Sequence, residues 1–457
     1  MRQNSDEPVE KKAQNYFLYD GVLSAVMVAL TSSMISLFAL SMGASNIEIG
    51  MLSSIPMIFW TMAQIPGAIL SERIGKEKAM AGTSALLSRL MWIPIILLPV
   101  FGDNIGILVV LVTLSTFIGA LGGPSWASFS SHLIPVGIRG RFFSRKNRIA
   151  ILCSVIAMIS AGIYLDMNPQ AISFSLVFLI GIVIGLIATF LFFMRIPYQD
   201  TQKKQSSSIV DDVKLLFMNK NFRTFLIIFF IMRFGVELAS SYFVVDMVKN
   251  MNATYIWITV TTAVSAVTSA LIQKKWGRIS DWFGQRIIII TCTFGISIIA
   301  LGWVFASSPV HVLVINIMSG ISWAGFELAF FNYLLEVSPP DKRAKFAAIV
   351  WTIMGIAAIT APIIGGLILE KTANITILGL YNFKFLFLLS FIIRLLAAIL
   401  FLRYLKEIIN YREKTSFKYV IRYITHIRLP GIHMEHILPI DKYIKRKKRK
   451  YKFKNPA

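Results

Sequence analysis

Five ionisable side chains stand inside runs of sequence that are otherwise apolar: Arg89, Arg233, Glu237, Glu327 and Arg394. A charge at the centre of a membrane-spanning helix costs about 2.5–3.5 kcal/mol by insertion scales, so such groups turn toward protein or water. Arg233 and Glu237 are four residues apart and share a helix face. They form either a self-neutralising pair or a site in which Arg233 takes an anionic group while Glu237 is a switchable countercharge. Glu327 has no basic residue within a helical turn. Desolvation favours its neutral form and an approaching cation its charged form, which makes it the first choice for a protonatable site. The competing reading is an interhelical ion pair with Arg394 or Arg89. For those two arginines, structural pairing or snorkelling is expected.

A softer set surrounds these charges. Ser32, Ser33, Ser125, Trp126, Tyr242, Trp323 and Asn332 offer hydroxyls, an amide and ring faces to a solute, or serve as packing between helices. Asp20 opens the first apolar run and reads as a cap or hydrated group near the interface. Other chemistries find no support. There is no G-x-x-x-x-G-K-[ST], no H-E-x-x-H and no nucleophile elbow, so neither nucleotide drive nor an enzyme is expected. His433-x-x-His436 has no cysteine beside it, so no metal site and no cofactor is expected.

The elements that must position these groups follow from composition. Of 457 residues, 56% are apolar and 15% charged, against about 45–50% and 25% in a soluble domain. The mean hydropathy is +0.68. Apolar runs read as membrane helices at 19–41, 47–70, 79–101, 105–131, 149–166 and 171–194, then at 223–247, 253–274, 287–306, 310–335, 346–369 and 381–402. The first is too long for a signal-peptide core and reads as a retained helix. The expected fold is an all-α integral membrane protein with twelve transmembrane helices.

Twelve spans put both chain ends on one side, and the basic residues say which. Forty of the 46 lysines and arginines fall in the loops and termini on the side of the N-terminus, against Lys249, Lys371 and Lys384 on the other. Positive loops stay cytoplasmic, so both ends are expected inside the cytoplasmic (plasma) membrane.

The halves repeat. Glu72-Arg73-Ile74-Gly75-Lys76 after span 2 matches Asp281-Trp282-Phe283-Gly284-Gln285-Arg286 after span 8 at an offset of 209. Pro135, Arg139, Arg141 and Phe142 match Pro339, Arg343, Lys345 and Phe346 at an offset of 204. Parallel six-helix repeats related by an axis along the membrane normal are a transporter architecture. At these loops the chain resembles the major facilitator superfamily, over about residues 17–403. The second half carries that family's loop as Gly277-Arg278-Ile279-Ser280-Asp281-Trp282-Phe283-Gly284-Gln285-Arg286. The first half departs from it, with Ala68 for the leading Gly, Glu72 for Asp and Glu77 for a basic residue.

The resemblance implies two pseudo-symmetric six-helix bundles whose helices 1, 4, 7 and 10 line a central cavity. It also implies that the loop residues Gly277, Asp281, Gly284 and Arg286, with Glu72, Arg73 and Gly75, hold a cytoplasmic gate. The bland alternative is a basic loop that only sets orientation. Drug exporters of the family carry an arginine in helix 4 and a Gly-Pro in helix 5. Neither occurs at 105–131 or 149–166. Pro362-Ile363-Ile364-Gly365-Gly366 in helix 11 reads as close packing or a kink. Gly119 to Pro124 reads as a bend in helix 4.

The organisation expected is a cytoplasmic segment 1–18, bundles 19–194 and 223–402, a cytoplasmic linker 195–222 with an amphipathic stretch, and a basic tail 403–457. The tail holds 16 basic and 4 acidic residues, which suits anionic lipid headgroups rather than nucleic acid. The function expected is secondary transport of a small-molecule substrate by alternating access, coupled to protons. A multidrug/proton efflux pump is the alternative within transport. A non-transporting sensor or scaffold using the tail is the alternative outside it.

Overall fold

The computed structural model describes residues 7–102, 104–134, 136–196, 220–337, 343–373 and 380–406. The expected linker lies almost wholly outside the described residues, as does the tail beyond residue 406. Twelve described helices are long and apolar enough to cross a membrane. Spans 1 to 6 are Lys12–Ser41, Asn46–Ser71, Glu77–Phe101, Ile105–Ser130, Arg145–Met167 and Ala171–Arg195. Spans 7 to 12 are Phe222–Lys249, Tyr255–Ser280, Gln285–Phe305, Pro309–Leu334, Thr352–Lys371 and Asn382–Tyr404.

Two helices begin well before their apolar runs. The first starts at Glu7, and the fifth runs Val136–Met167. Hydropathy marks where a helix leaves the apolar layer; backbone hydrogen bonding continues past that point. Asp20 is therefore in mid-helix and opens nothing, and Lys146 belongs to a helix, not a loop. Lys384, counted with the far-side loops although the expected span 381–402 contains it, lies inside span 12 and is buried.

Three spans are broken, each for a local reason. In span 1 the helix stops at Leu30 and resumes at Ile35 after a 3-10 turn at Ser32–Met34. There Thr31 leaves the helical region at φ −115°, ψ −87°, while its amide and hydroxyl both still donate to the Met27 carbonyl, at 2.9 and 2.7 Å. Span 3 breaks at Met91, where Pro94 lacks the amide that would reach Leu90. Span 4 breaks at Gly122, within the Gly119–Pro124 stretch where a bend was expected.

The two halves pack alike. Span 1 lies against spans 5 and 6, span 2 against span 4, and span 3 against spans 4 and 6. Span 7 lies against spans 11 and 12, span 8 against span 10, and span 9 against spans 10 and 12. The repeat reaches individual rings. Phe17 meets Trp126 and Phe129, each at 5.8 Å between centroids, and Phe225 meets Phe330 at 5.7 Å and Tyr333 at 4.8 Å. The halves join along spans 2 and 11 and spans 5 and 8.

This seam is tight at the end where span 1 runs into span 2, the far end. There the Tyr242 hydroxyl donates to the Pro362 carbonyl at 2.5 Å and to the Asn46 carbonyl at 3.3 Å. Gly50 permits that approach: a Cβ on it would stand 2.6 Å from the Tyr242 hydroxyl and 2.9 Å from the Pro362 oxygen.

Candidate functional site

In the second half, span 7 places Arg233 and Glu237 one turn apart, and their side chains are in direct ion-pair contact. Each is only about a fifth exposed, at 20% and 17%. Ser240 completes the carboxylate's shell, its hydroxyl donating to Glu237 Oε2 at 3.1 Å. Arg233 Nε is buried and has no acceptor among the described residues. Arg394 of span 12 is 2% exposed. Its guanidinium donates to three backbone carbonyls, Gly235 at 3.3 Å, Ile296 at 3.2 Å and Val236 at 3.4 Å. Gly235 and Val236 belong to span 7 and Ile296 to span 9, so Arg394 ties spans 7, 9 and 12 together behind the pair.

Glu327 of span 10 is exposed and lies in the field of Arg233. It pairs with neither Arg394 nor Arg89, the partners considered from sequence. One guanidinium, Arg233, thus serves two carboxylates: Glu237 by contact and Glu327 across a gap. Trp323, one turn before Glu327, is half-buried and meets the ring of Phe326 edge-on at 5.9 Å.

The first half holds a second cluster that sequence reasoning did not assemble. Asp20 is 6% exposed and Arg89 8%. Arg89 donates to Ser24 Oγ at 2.7 Å, and also to the Gly185 carbonyl and Thr189 Oγ1. Among the described residues it makes no ion pair within contact distance; it joins spans 1, 3 and 6. Asp20 interacts with Ser24 one turn along and lies in the fields of both Arg89 and Lys146. The Lys146 ammonium sits over two rings, Trp126 at 5.5 Å and Phe143 at 5.4 Å. Asp20, Ser24, Arg89, Trp126 and Thr189 share the wall of a cavity of about 70 Å³. The sequence signal was the Asp20–Ser24 spacing, which puts both on one face of the first helix.

The loop residues expected to hold a gate lie at the opposite, near end. Gly75 and Gly284 both adopt positive φ, 67° and 82°, the conformation that glycine takes without a Cβ penalty. The side chains of Glu72 and Asp281 lie outside the described residues. Arg73 is exposed in the last turn of its helix, and a Cβ on Gly277 would meet nothing within 4 Å.

Past each turn the two loops do the same thing. Lys78 donates to the carbonyls of Phe193 at 2.7 Å and Ile196 at 2.6 Å, closing the end of span 6. Arg286 donates to Leu405 at 2.6 Å and Leu402 at 2.9 Å, closing the end of span 12. Beside them Ser128 donates to Glu77 at 2.5 Å, and Gln285 to Glu336 at 3.2 Å. Glu77 and Gln285 are repeat-related at an offset of 208, while Ser128 and Glu336 fall one turn apart on the helices of spans 4 and 10, which match at 204. Asn332 belongs to this end, its amide donating to Ser280 Oγ at 3.2 Å. Tyr242 is fully buried in the far-end seam. The structure therefore brings Arg233, Glu237 and Glu327 together and sets Asn332, Tyr242 and Trp126 apart from them.

Twelve spans in two matched six-helix halves, each with charge held in its core, define a membrane transporter of the two-repeat kind. The profile of the Major Facilitator Superfamily matches residues 21–309 and 225–419, and the chain belongs to that family. An uncharacterised MFS-type transporter of Methanocaldococcus jannaschii, MJ1560, is 22% identical over 385 residues, 81% of this chain and 93% of the relative. The multi-drug resistance efflux pump PmrA of Streptococcus pneumoniae is 26% identical over 145 residues, 32% of this chain and 34% of the pump. Among solved structures, a bacterial homologue of the iron transporter ferroportin in its inward-facing state aligns with a TM-score of 0.64 at 15% identity. It covers 86% of this chain and 99% of that one. The nucleoside transporter NupG aligns at 0.62 and 15% identity, covering 87% and 99%. At these identities the structural likeness speaks for the fold.

Proposed function

We propose that the protein is a proton-coupled secondary transporter that carries a small solute across the plasma membrane by alternating access. Its near end, where both termini belong by the distribution of lysine and arginine, faces the cytoplasm. The observation that carries this reading is the shared guanidinium: Arg233 holds Glu237 in contact and leaves Glu327 facing it without a direct bond. Arg394 also lies in the field of Glu237, but it is tied to backbone carbonyls. Of the two carboxylates only Glu237 therefore has a direct ion-pair partner among the described residues, and Glu327 is the natural site for an exchangeable proton. Glu327 takes that role because it is the exposed member and sits on a different helix from the pair. Spans 7 and 10 then move a proton and a solute group past the same arginine, with Trp323 offering a ring face beside it.

Drug export is the second reading, favoured by the match to the streptococcal pump over a third of the chain. The test of both is flux in proteoliposomes with and without a pH gradient, over a panel that runs from nucleosides to lipophilic cations. Gradient-driven uptake is expected to disappear in Glu327→Gln while solute counterflow, which needs no net proton movement, persists. Undiminished gradient-driven transport in that variant removes Glu327 from the mechanism.

A further inference from the structure

The cluster in the first half carries charge that its own residues do not balance. Arg89 and Lys146 bring two cations to one carboxylate, Asp20. The two cations differ in what they still have to give. Arg89 is committed to Gly185, Thr189 and Ser24 across three helices. Lys146 has three N–H donors, and among the described residues its ammonium meets only the two ring faces and the field of Asp20. Ring faces attract a cation but accept no strong hydrogen bond from it. Lys146 and Trp126 are half-exposed, with Trp126 at 37%, so the ammonium is reachable from the space these rings border. The cavity that Trp126 shares with Asp20, Ser24, Arg89, Thr189 and Phe192 adds about 70 Å³ of space with both polar and apolar walls.

We propose that Lys146, between Trp126 and Phe143, binds an oxyanion, the carboxylate or phosphate head of an organic anion. Arg89 supplies standing positive potential behind the site. Asp20 is the internal counter-charge that Lys146 falls back on when the site is empty. The flanking rings favour a ligand whose anionic head is attached to an apolar or aromatic body. This names the substrate class for the transporter reading above and rests on that reading. It places the anionic head in the first half, away from Arg233. The same chemistry is offered by a soluble anion and by a lipid headgroup.

The experiment is equilibrium binding to the full chain in nanodiscs of neutral lipid, with no gradient present, so proton coupling at Glu327 plays no part in the outcome. Thermal shift and direct titration use benzoate, inorganic phosphate, and nanodiscs doped with phosphatidylglycerol. Saturable binding of benzoate or phosphate is expected, weakened by at least about tenfold in Lys146→Met, the loss of a charged hydrogen-bond donor. Lys146→Arg is expected to retain it, and the melting profile without ligand checks that both variants fold. A Lys146-dependent shift with phosphatidylglycerol alone assigns the oxyanion to a headgroup. No response to any of the three probes, or equal responses in wild type and Lys146→Met, overturns the proposal.

Discussion

The carboxylate of Asp166, at the end of span 5, accepts the backbone amide of Tyr255, the first residue of span 8, at 2.6 Å. It accepts the next amide, that of Ile256, at 3.0 Å. An acid from one half thus caps a helix of the other at the far end, where free amides and the helix dipole both favour a negative charge. The Tyr242 contacts close the same end from the opposite side of the seam. Removing the cap should therefore bias the two halves and leave each of them folded. Asp166→Ala, which removes two charge-assisted hydrogen bonds, is expected to favour far-end opening by at least about tenfold in the population ratio. Distances between spin labels at Asn168→Cys and Thr254→Cys, in a chain lacking Cys153 and Cys292, measure this. An unchanged distance distribution would show that the cap does not control the seam.

Arg233 and Glu237 are each partly exposed, so their pairing is worth less than that of a fully buried pair and more than that of a surface one. Arg233→Gln is expected to lower stability by about 1–3 kcal/mol, since it leaves Glu237 with Ser240 alone. Adding Glu237→Gln should return part of that loss. A double-mutant cycle read by thermal unfolding in detergent gives the coupling energy. If Arg233 were engaged only with Glu327, the second substitution would add to the first.

The number of spans, the parallel repeat and the bend in span 4 could be read from sequence, because each rests on hydropathy or on turn residues. The charged clusters could be read only in part. Arg233–Glu237 shows in its spacing, since both members lie on one helix. The Asp20, Arg89 and Lys146 cluster draws on three helices. Lys146 lies where polar flanking sequence makes a helix look like a loop, and Asp20 where it makes a mid-helix residue look like a helix start. Lys78 was hidden for another reason. The first-half loop has one more residue than the second between its glycine and its cation, so matching by type set Glu77 against a basic residue. Only the carbonyls that Lys78 caps reveal that it corresponds to Arg286. Tyr242 and Asn332 have the right chemistry for a solute contact, but side-chain direction decides their roles, and periodicity does not fix direction across a broken bundle.

Asp246 and Lys384 join spans 7 and 12 near the far end. The salt bridge is 3.0 Å, with the side chains at 0% and 5% exposure. Lys384 also donates to the carbonyls of Trp303 at 2.9 Å and Ala306 at 2.6 Å, and Asn250 and Tyr381 donate to Asp246 at 2.7 Å and 3.3 Å. Breaking one side of a buried pair leaves an uncompensated charge, at a cost of about 3–5 kcal/mol. Lys384→Met is expected to fall in that range by unfolding measurements. The double change with Asp246→Asn should recover most of it, because it removes the stranded carboxylate. A double variant no better than the single one would mean that the lysine's carbonyl contacts matter more than the ion pair.

Lys78 and Arg286 allow the internal repeat to be tested as energy. Each donates to two carbonyls in the last turn of the sixth helix of its half, where orphan acceptors and the dipole favour a cation. Lys78→Met and Arg286→Met each remove those bonds and should cost about 1–3 kcal/mol, with the two values close to one another. Lys78→Arg should lose little, since the guanidinium at position 286 serves the equivalent carbonyls in the other half. Thermal unfolding followed by tryptophan fluorescence compares the three variants under one condition. Large destabilisation by one methionine and none by the other would mean that the two loops share geometry without sharing mechanical duty. In that case the near end would be held by one half alone.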